Sequence, residues 1–538
     1  NNSDVDETET DLLNVSEENS EIEETMLSDE TSTIGTEDIA DYIENDIIKF
    51  IVDTKNDSLS GLPWLVMEIP NIPIFCSSFS RISILERLSK YNINLKSIYV
   101  EVIPEQGIKV NDTIIHAIPL AGALPGTIGF SFTVKEGSYL FLTNFVDGDL
   151  GVYGKTDLPA IKSKFPNVLA LFLDSGMSNF NGKSSQKITI TNELEQVFNE
   201  TKKDERIIIG AYDQEMATLH QVLDMALKYG RDIVTYGRSY HQLLELLQKR
   251  NPDLKLPKIL DYKYISKHDN NVVIIISGTV ERLFKRFIRI TENNDVYFKF
   301  SKSDHFVMIA PPINGQETEA SYALDEIARI TPKITDISED KFYQCRPTKQ
   351  DIIDTVNILK PKYFLPIQGL YRYLSVAVRE VCASGYSQGN CVILQNGKIA
   401  QFEGNKLISQ KGKIANVGDI IIDGFGVDDI SKEVILEREI LVRDGVIIIS
   451  ILIDKKSKQI YDKFDIKYIG VIDPDERSET DKIIKKHVID VYSKTYLSED
   501  AKMKNNLNNF QNLVRKVIRK KIFKLTNKEP MIAISLTE

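Results

Sequence analysis

The chain is 538 residues long, 42% apolar and 27% charged, enough for two to four domains with separate cores. No apolar run approaches the roughly 20 residues that a membrane helix needs, and no basic-then-apolar leader opens the chain. Four cysteines without a Cys-x-x-Cys pair argue against a disulfide framework or a cysteine zinc site, and for a reducing, cytoplasmic setting. Charge is uneven: Asn1 to Asp46 holds 17 Asp and Glu and no Lys or Arg, so the net −12 resolves into −17 there and +5 on the rest. A mildly basic body is compatible with a nucleic-acid partner without requiring one.

Taken in order, residues 1–37 are acidic, rich in Ser and Thr and poor in aromatic residues. They bury too little to offset their ordering entropy, so a disordered tail is expected. Such a tail either repels neighbours or shields a basic groove. Ile39, Tyr42, Ile43 and Ile47 form a short helix pattern leading into a strand over Ile48 to Val52. Strands follow over Asn71 to Cys76 and near Ile98 and Val110, with a helix over Ser80 to Tyr91 between them. A strand is also expected over Tyr139 to Phe145. From Glu193 to Phe342 helices alternate with short apolar strands, the pattern of a parallel sheet. Met216 to Tyr229 is a helix ending at Gly230, and strands over Ile233 to Tyr236 and Val272 to Ile276 run into Gly237-Arg238-Ser239 and Ser277-Gly278-Thr279. Tyr363 to Ile367 is a strand that stops before a polar turn at Gln368-Gly369. Asn396-Gly397 predicts a hairpin turn within Val392 to Glu403. A charged linker leads to strands over Val446 to Ile453, Ile466 to Val471 and Met531 to Ser535, and helices over Ser478 to Tyr496 and Leu507 to Leu525. The last helix is basic: Met503 to Lys528 holds eight Lys and Arg and no acid. Its apolar Leu507, Phe510, Val514, Val517 and Ile518 share one face.

Specific phrases recur in a fixed order. Leu359 to Leu374 reads Leu-Lys-Pro-Lys-Tyr-Phe-Leu-Pro-Ile-Gln-Gly-Leu-Tyr-Arg-Tyr-Leu. Earlier come Gly61-Leu62-Pro63, His116-Ala117-Ile118-Pro119, Leu142-Thr143-Asn144-Phe145 and Leu169 to Ser175. Between them lie Lys228-Tyr229-Gly230-Arg231, Gly237-Arg238-Ser239 and Pro312-Ile313-Asn314-Gly315-Gln316-Glu317. The set resembles the ribonuclease J family, metallo-β-lactamase-fold RNA nucleases with an inserted β-CASP domain. The family reads "KPKYFxPxHGEYRxL", "HxHxDH" before Gly-Leu-Pro, "NHSIPDSVG", "TGDF", "LLLSDSTN", "KYGR", "GRS" and "PIxGxE" at these places.

The resemblance implies an α/β protein: a metallo-β-lactamase αββα sandwich over residues 38–192 and 343–430, a β-CASP domain over 193–342, a linker over 431–445 and a small α+β domain over 446–538. The family's opening "GGLGEIG" turn has no counterpart, so either the sequence is truncated or the first domain is abbreviated. The family uses two zinc or manganese ions. Its seven ligand positions are filled here by Asp53, Lys55, Asp57, Ser58, His116, Asn144 and Gln368. Only Asp57 and His116 keep the family's residue type, so a dismantled site with no cofactor is expected. Asp57, His116 and Asp174 are the remaining catalytic candidates. The family's "TGSQGE" loop and its "GHASQEE" histidine correspond to Ser277, Gly278, Thr279 and Arg282, and to Arg346 with Thr348, all candidates to bind RNA phosphate; for Arg346 the alternative is pairing with Asp57 or Asp174 to fill a vacated site. The implied protein processes or decays RNA, binds single-stranded RNA, and acts as a scaffolding subunit, as a homo-oligomer or with an active ribonuclease J. An active metal-dependent 5′-exo- or endoribonuclease with a rebuilt site around Asp53, Asp57, His116 and Asp174 is the alternative.

Overall fold

The computed structural model describes residues 48–537, except 92, 94–97, 261, 268–270, 280–281, 314, 339–343, 416, 419–421, 424–425, 428–431, 455–458 and 496–506. The expected tail and the helix read into residues 38–47 lie outside the described residues. Two compact units are present, 1–417 and 418–538. Among the described residues no helix is long and apolar enough to cross a membrane.

The first unit opens with β1 (Lys49–Phe50), β2 (Ile74–Cys76) and β3 (Val100–Val102), a parallel three-stranded sheet. Then come β4 (Ile108–Val110), β5 (Thr113–Pro119), β6 (Ile128–Val134), β7 (Gly137–Leu142) and, after helix α1 (Leu158–Lys164), β8 (Val168–Asp174). The next stretch builds β9 (Ile207–Tyr212), α2 (Met216–Tyr229), β10 (Asp232–Tyr236), α3 (Arg238–Arg250), β11 (Ile259–Leu260), β12 (Val272–Gly278), α4 (Leu283–Thr291), β13 (His305–Met308) and β14 (Lys333–Asp336). Helix α5 (Lys349–Leu359), strand β15 (Tyr363–Ile367) and helix α6 (Tyr371–Ala383) return the chain to the sheet of β8.

Six strands in the order β15-β8-β7-β6-β5-β4 form a mixed sheet whose first three members are parallel. It faces the β1-β2-β3 sheet across one apolar layer in which Phe50 meets Phe75, Phe130 and Phe132 at ring-centroid distances of 5.8, 5.1 and 5.6 Å. Helices cover the outer faces. Leu62, Val66, Ile84 and Leu88 pack on the smaller sheet, and Ile161, Ile352, Val356 and Ala377 pack on the larger one. The result is the expected helix–sheet–sheet–helix sandwich. Alternation explains it: strands that bury one face on a second sheet and the other on helices must be apolar on both, as Val168 to Leu173 are.

The second sheet system has six parallel strands in the order β11-β10-β12-β9-β13-β14. Its central β9 and β12 are buried along their whole length. α2 ends as predicted at Gly230, whose φ of 65° is the left-handed cap that glycine adopts without steric cost.

One expected hairpin moves. The paired strands are β16 (Lys398–Glu403) and β17 (Lys406–Lys413), joined at Gly404-Asn405 rather than at Asn396-Gly397. The residues before Asn396 are drawn to the sandwich: Cys391 bridges Phe364, and the Val392 amide bonds the Phe364 carbonyl at 2.9 Å. The turn at Asn396-Gly397 still forms, with the Lys398 amide on the Gln395 carbonyl at 2.9 Å, but the strand before it pairs with the sandwich instead of with β16.

In the second unit the charged stretch expected as a linker is helical over Lys432–Asp444. It feeds β18 (Val446–Ile453), which pairs antiparallel with β19 (Ile460–Ile469) and parallel with β20 (Met531–Thr537). Helices α7 (Arg477–Thr495) and α8 (Leu507–Thr526) cover one face of this sheet through Ile484, Val488, Phe510, Val514 and Ile518.

Candidate functional site

Parallel β8 and β15 place Asp174 opposite Ile367, and the Ser175 amide bonds the Ile367 carbonyl at 2.9 Å. Both chains therefore leave the sheet side by side, where ligands of α/β proteins usually gather. Asp174 is fully buried and is gripped by Arg346, Nε at 2.9 Å from Oδ2 and Nη2 at 2.6 Å from Oδ1. Arg346 Nη2 also donates to the Gln368 carbonyl at 2.6 Å. Gln368 has a φ of 55°, a left-handed conformation uncommon outside glycine. The arginine reaches this place because position 176 is glycine: a Cβ there would lie 2.5 Å from Nη2.

Asn144 links the two carboxylates. Its backbone amide donates to Asp174 Oδ2 at 3.2 Å and its side-chain amide to Asp53 Oδ2 at 3.0 Å. The other Asp53 oxygen accepts the Lys55 amide at 3.0 Å and the Ser58 hydroxyl at 2.6 Å. Lys55 reaches to Glu215, at the start of α2, with Nζ 2.5 Å from Oε1, and Glu215 Oε2 takes the Cys345 amide at 3.3 Å. Burial opposes charge on Lys55, but Glu215 and Asp53 outweigh it and hold its ammonium above the ordinary lysine range. Burial pushes the Glu215 carboxyl up, and Lys55 pulls it back.

Two divalent ions need carboxylate and imidazole donors around an open position. The residues here do not fit. Lys55 and Arg346 are fixed cations, Ser58 and Asn144 turn N–H and O–H donors toward Asp53, and the guanidinium lies against Asp174. Among the described residues no group of three or more His, Cys, Asp or Glu is arranged to hold a metal. Asp57 lies in a short helix, Asn56–Leu59, and its side chain is outside the described residues.

His116 corrects the sequence reading. It pairs with Ser131, which pairs with Leu140, itself opposite Leu171. That register leaves it three residues short of Asp174, roughly 10 Å along the strands. Its ring lies edge-on to Phe165, and burial and Lys164 hold its pKa below the ordinary histidine value. The segment beside Asn144 is instead Ala121-Gly122, since the Val146 amide bonds the Ala121 carbonyl at 2.8 Å. Aligning the family phrase on Pro125 and Gly129 puts Gly122 at its histidine. The extra residues after Pro119 had shifted the register.

Thr348 is also elsewhere than expected. Fully buried, it caps α5: its amide and hydroxyl meet Asp351 Oδ2 at 2.9 and 3.0 Å, and the hydroxyl reaches the Gly182 carbonyl at 2.7 Å. Its hydroxyl is committed to the helix end, and the Arg346 guanidinium to Asp174.

The other four phosphate candidates come together. The chain turns one way after β10 and the other after β12, so α3 and α4 diverge from neighbouring strand ends, the kind of place where α/β proteins bind ligands. Gly237-Arg238-Ser239 and Ser277-Gly278-Thr279 form two walls packed against each other, a Cβ at 237 having no room beside Ser277 Oγ, with Arg238 and Arg282 exposed. Neither helix start carries a side-chain cap; at α4 the Arg282 and Leu283 amides already bond the Thr279 carbonyl at 3.1 and 3.0 Å, and the remaining first-turn N–H groups suit another acceptor. Ser277 is buried, and among the described residues its Oγ has no hydrogen-bond partner. Arg286 ties the walls, donating to the Tyr236 and Ser277 carbonyls at 3.0 and 2.6 Å. Asp213, past the end of β9, has its carboxyl pushed up by burial, opposed by the Ser239 hydroxyl and Arg286. Sequence reasoning missed Glu215, Asp213 and Arg286. An Asp directly after a fully apolar strand, and a Lys-Arg pair opening α4, were the available signals.

Comparison with known proteins follows the same division. The model of the ribonuclease J β-CASP domain matches residues 204–327, and that of the ribonuclease J C-terminal domain matches residues 433–538. Ribonuclease J2 of Bacillus subtilis is 24% identical over 418 residues, 76% of this chain and 74% of that protein. An uncharacterized protein of Mycoplasma genitalium is 23% identical over 498 residues, 90% of this chain and 87% of that one. Ribonuclease J 2 of Streptococcus pyogenes is 23% identical over 432 residues, covering 79% and 77%.

Proposed function

Because the chain belongs to the ribonuclease J family, we propose that it serves RNA processing or decay as a non-catalytic subunit. In this reading it binds single-stranded RNA in the cytoplasm and pairs with an active ribonuclease J. The observation that carries the reading is the Arg346 fork on Asp174, with Nη2 shared by the Gln368 carbonyl. A permanent guanidinium takes the place a cation would need and cannot polarise or activate water. The strand ends at Ser277 support the binding half: their uncapped helix starts, Arg238, Arg282 and Ser277 Oγ suit phosphate oxygens. His116, packed on Phe165 in mid-sheet, gives no support to a rebuilt catalytic centre.

The test has two parts. Purified protein should hold far less than one zinc or manganese per chain by mass spectrometry. Incubated with 5′-labelled RNA and manganese, it should bind without cutting. Robust cleavage abolished by Asp57→Ala, or about two tightly held ions per chain as in two-metal sites, would overturn the reading.

A further inference from the structure

Helix α8 carries six Lys and Arg and no Asp or Glu. Its partner α7, beside it over the same sheet, mixes Arg477, Lys482, Lys485, Lys486 and Lys494 with Glu479, Asp481 and Asp490. Packing does not require this difference, because both helices bury their apolar faces in the same core. On α8 the buried residues are Phe510, Val514, Ile518 and Ile522. Exposed on the opposite side are Asn512, Lys516, Arg519, Lys520, Phe523 and Lys524. At 100° per residue, Lys516, Arg519, Lys520 and Phe523 fall within one stripe of about 100°.

Of the six basic residues Arg515 is engaged locally, as is Lys528 just past the helix. Arg515 bonds the Ile532 carbonyl at 3.2 Å and Asn512 at 3.1 Å, and Lys528 bonds the Val471 carbonyl at 2.8 Å. Lys516, Arg519, Lys520 and Lys524 make no ion pair among the described residues. Phe523 stands in their midst and is 44% exposed, three residues from Lys520 and four from Arg519. An unpaired row of cations raises local repulsion, and an exposed ring adds nothing to the core, so neither stabilises the fold. Together they match single-stranded nucleic acid: cations follow the phosphates and a ring stacks on a base.

We infer that the exposed face of α8 is a second RNA-binding surface, taking phosphates of single-stranded RNA on Lys516, Arg519 and Lys520 and one base on Phe523. This site is on α8 of the second unit and uses none of the residues at the β10/β12 strand ends, although it shares the premise that the chain binds RNA.

The test uses the full chain and 5′-fluorescein-labelled oligouridine of about 20 nucleotides, followed by anisotropy across a salt series. Lys516→Gln, Arg519→Gln and Lys520→Gln together should lower affinity about tenfold at low salt. They should also flatten the slope of log affinity against log salt by about 2, three phosphates at about 0.7 each for single strands. The thermal midpoint should stay within a degree or two. Phe523→Ala should cost about fivefold or more at every salt concentration and Phe523→Tyr should restore it, as stacking predicts. A triple variant with wild-type affinity and slope overturns the proposal, as does an affinity loss accompanied by a falling midpoint. An unchanged slope with altered sedimentation assigns the face to protein contact and overturns it as well. If the wild-type chain binds no RNA at any salt, the preceding functional reading fails too. If it binds RNA and only Arg282→Gln weakens it, that reading stands and this one falls.

Discussion

The strand ends around Asp174 and those around Ser277 sit at equivalent places, past the carboxyl ends of parallel strands. At Asp174 every charge meets a neighbour: Arg346 on Asp174, Lys55 on Glu215, and Asn144 between two carboxylates. At Ser277 the helix starts are uncapped and a buried hydroxyl has no partner among the described residues. Pairing stabilises a buried charge and removes it from chemistry, while an unpartnered donor is left for a ligand. In the proposed reading the first cluster serves cohesion and the second recognition.

The largest expected effect tests cohesion. Arg346→Ala strands a fully buried Asp174 and should destabilise the first unit by about 4 kcal/mol, the scale of breaking a buried pair. Asp174→Asn added to it should recover part of the loss. Chemical denaturation checks both, and a single variant within about 0.5 kcal/mol of wild type would mean that the fork holds nothing together.

Lys55→Met should cost about 3 kcal/mol and change the pH dependence. Without its counter-ion, the Glu215 carboxyl rises further above the ordinary glutamate value of 4.5. The folded state then binds a proton more tightly than the unfolded one, so stability rises as pH falls from neutral toward 4.5. The wild type, with Lys55 charged, should gain less over that range. Thermal midpoints measured across it decide the matter; parallel curves would remove Lys55 from the pair.

The smallest effect sharpens the other side. Ser277→Ala deletes a hydroxyl that satisfies nothing, so stability should stay within about 1 kcal/mol of wild type. RNA affinity should nevertheless fall several-fold. A stability loss without a binding loss would make Ser277 a core residue and erase the contrast between the two sites.

Much of this was written in the chain. Runs such as Val168 to Leu173 and Val272 to Ile276 are too apolar for anything but buried strands, and Gly230 had to end α2. That Lys55, Asn144 and Gln368 bring a cation and two neutral amides was also readable, because residue type alone decides what charge a side chain carries. Register and partnership were not legible. Whether His116 or Gly122 stood beside Asn144 depended on where a loop absorbed its extra residues. Whether Arg346 faced a ligand or Asp174 depended on glycine at 176 leaving room for its fork. Thr348 read as a phosphate donor until the start of α5 took its hydroxyl. Periodicity and residue chemistry are local and survive in one dimension, whereas the pairing of buried charges is settled by contacts between residues as far apart as Asn144 and Asp53 or Arg346 and Asp174, which only the folded chain brings within hydrogen-bond distance.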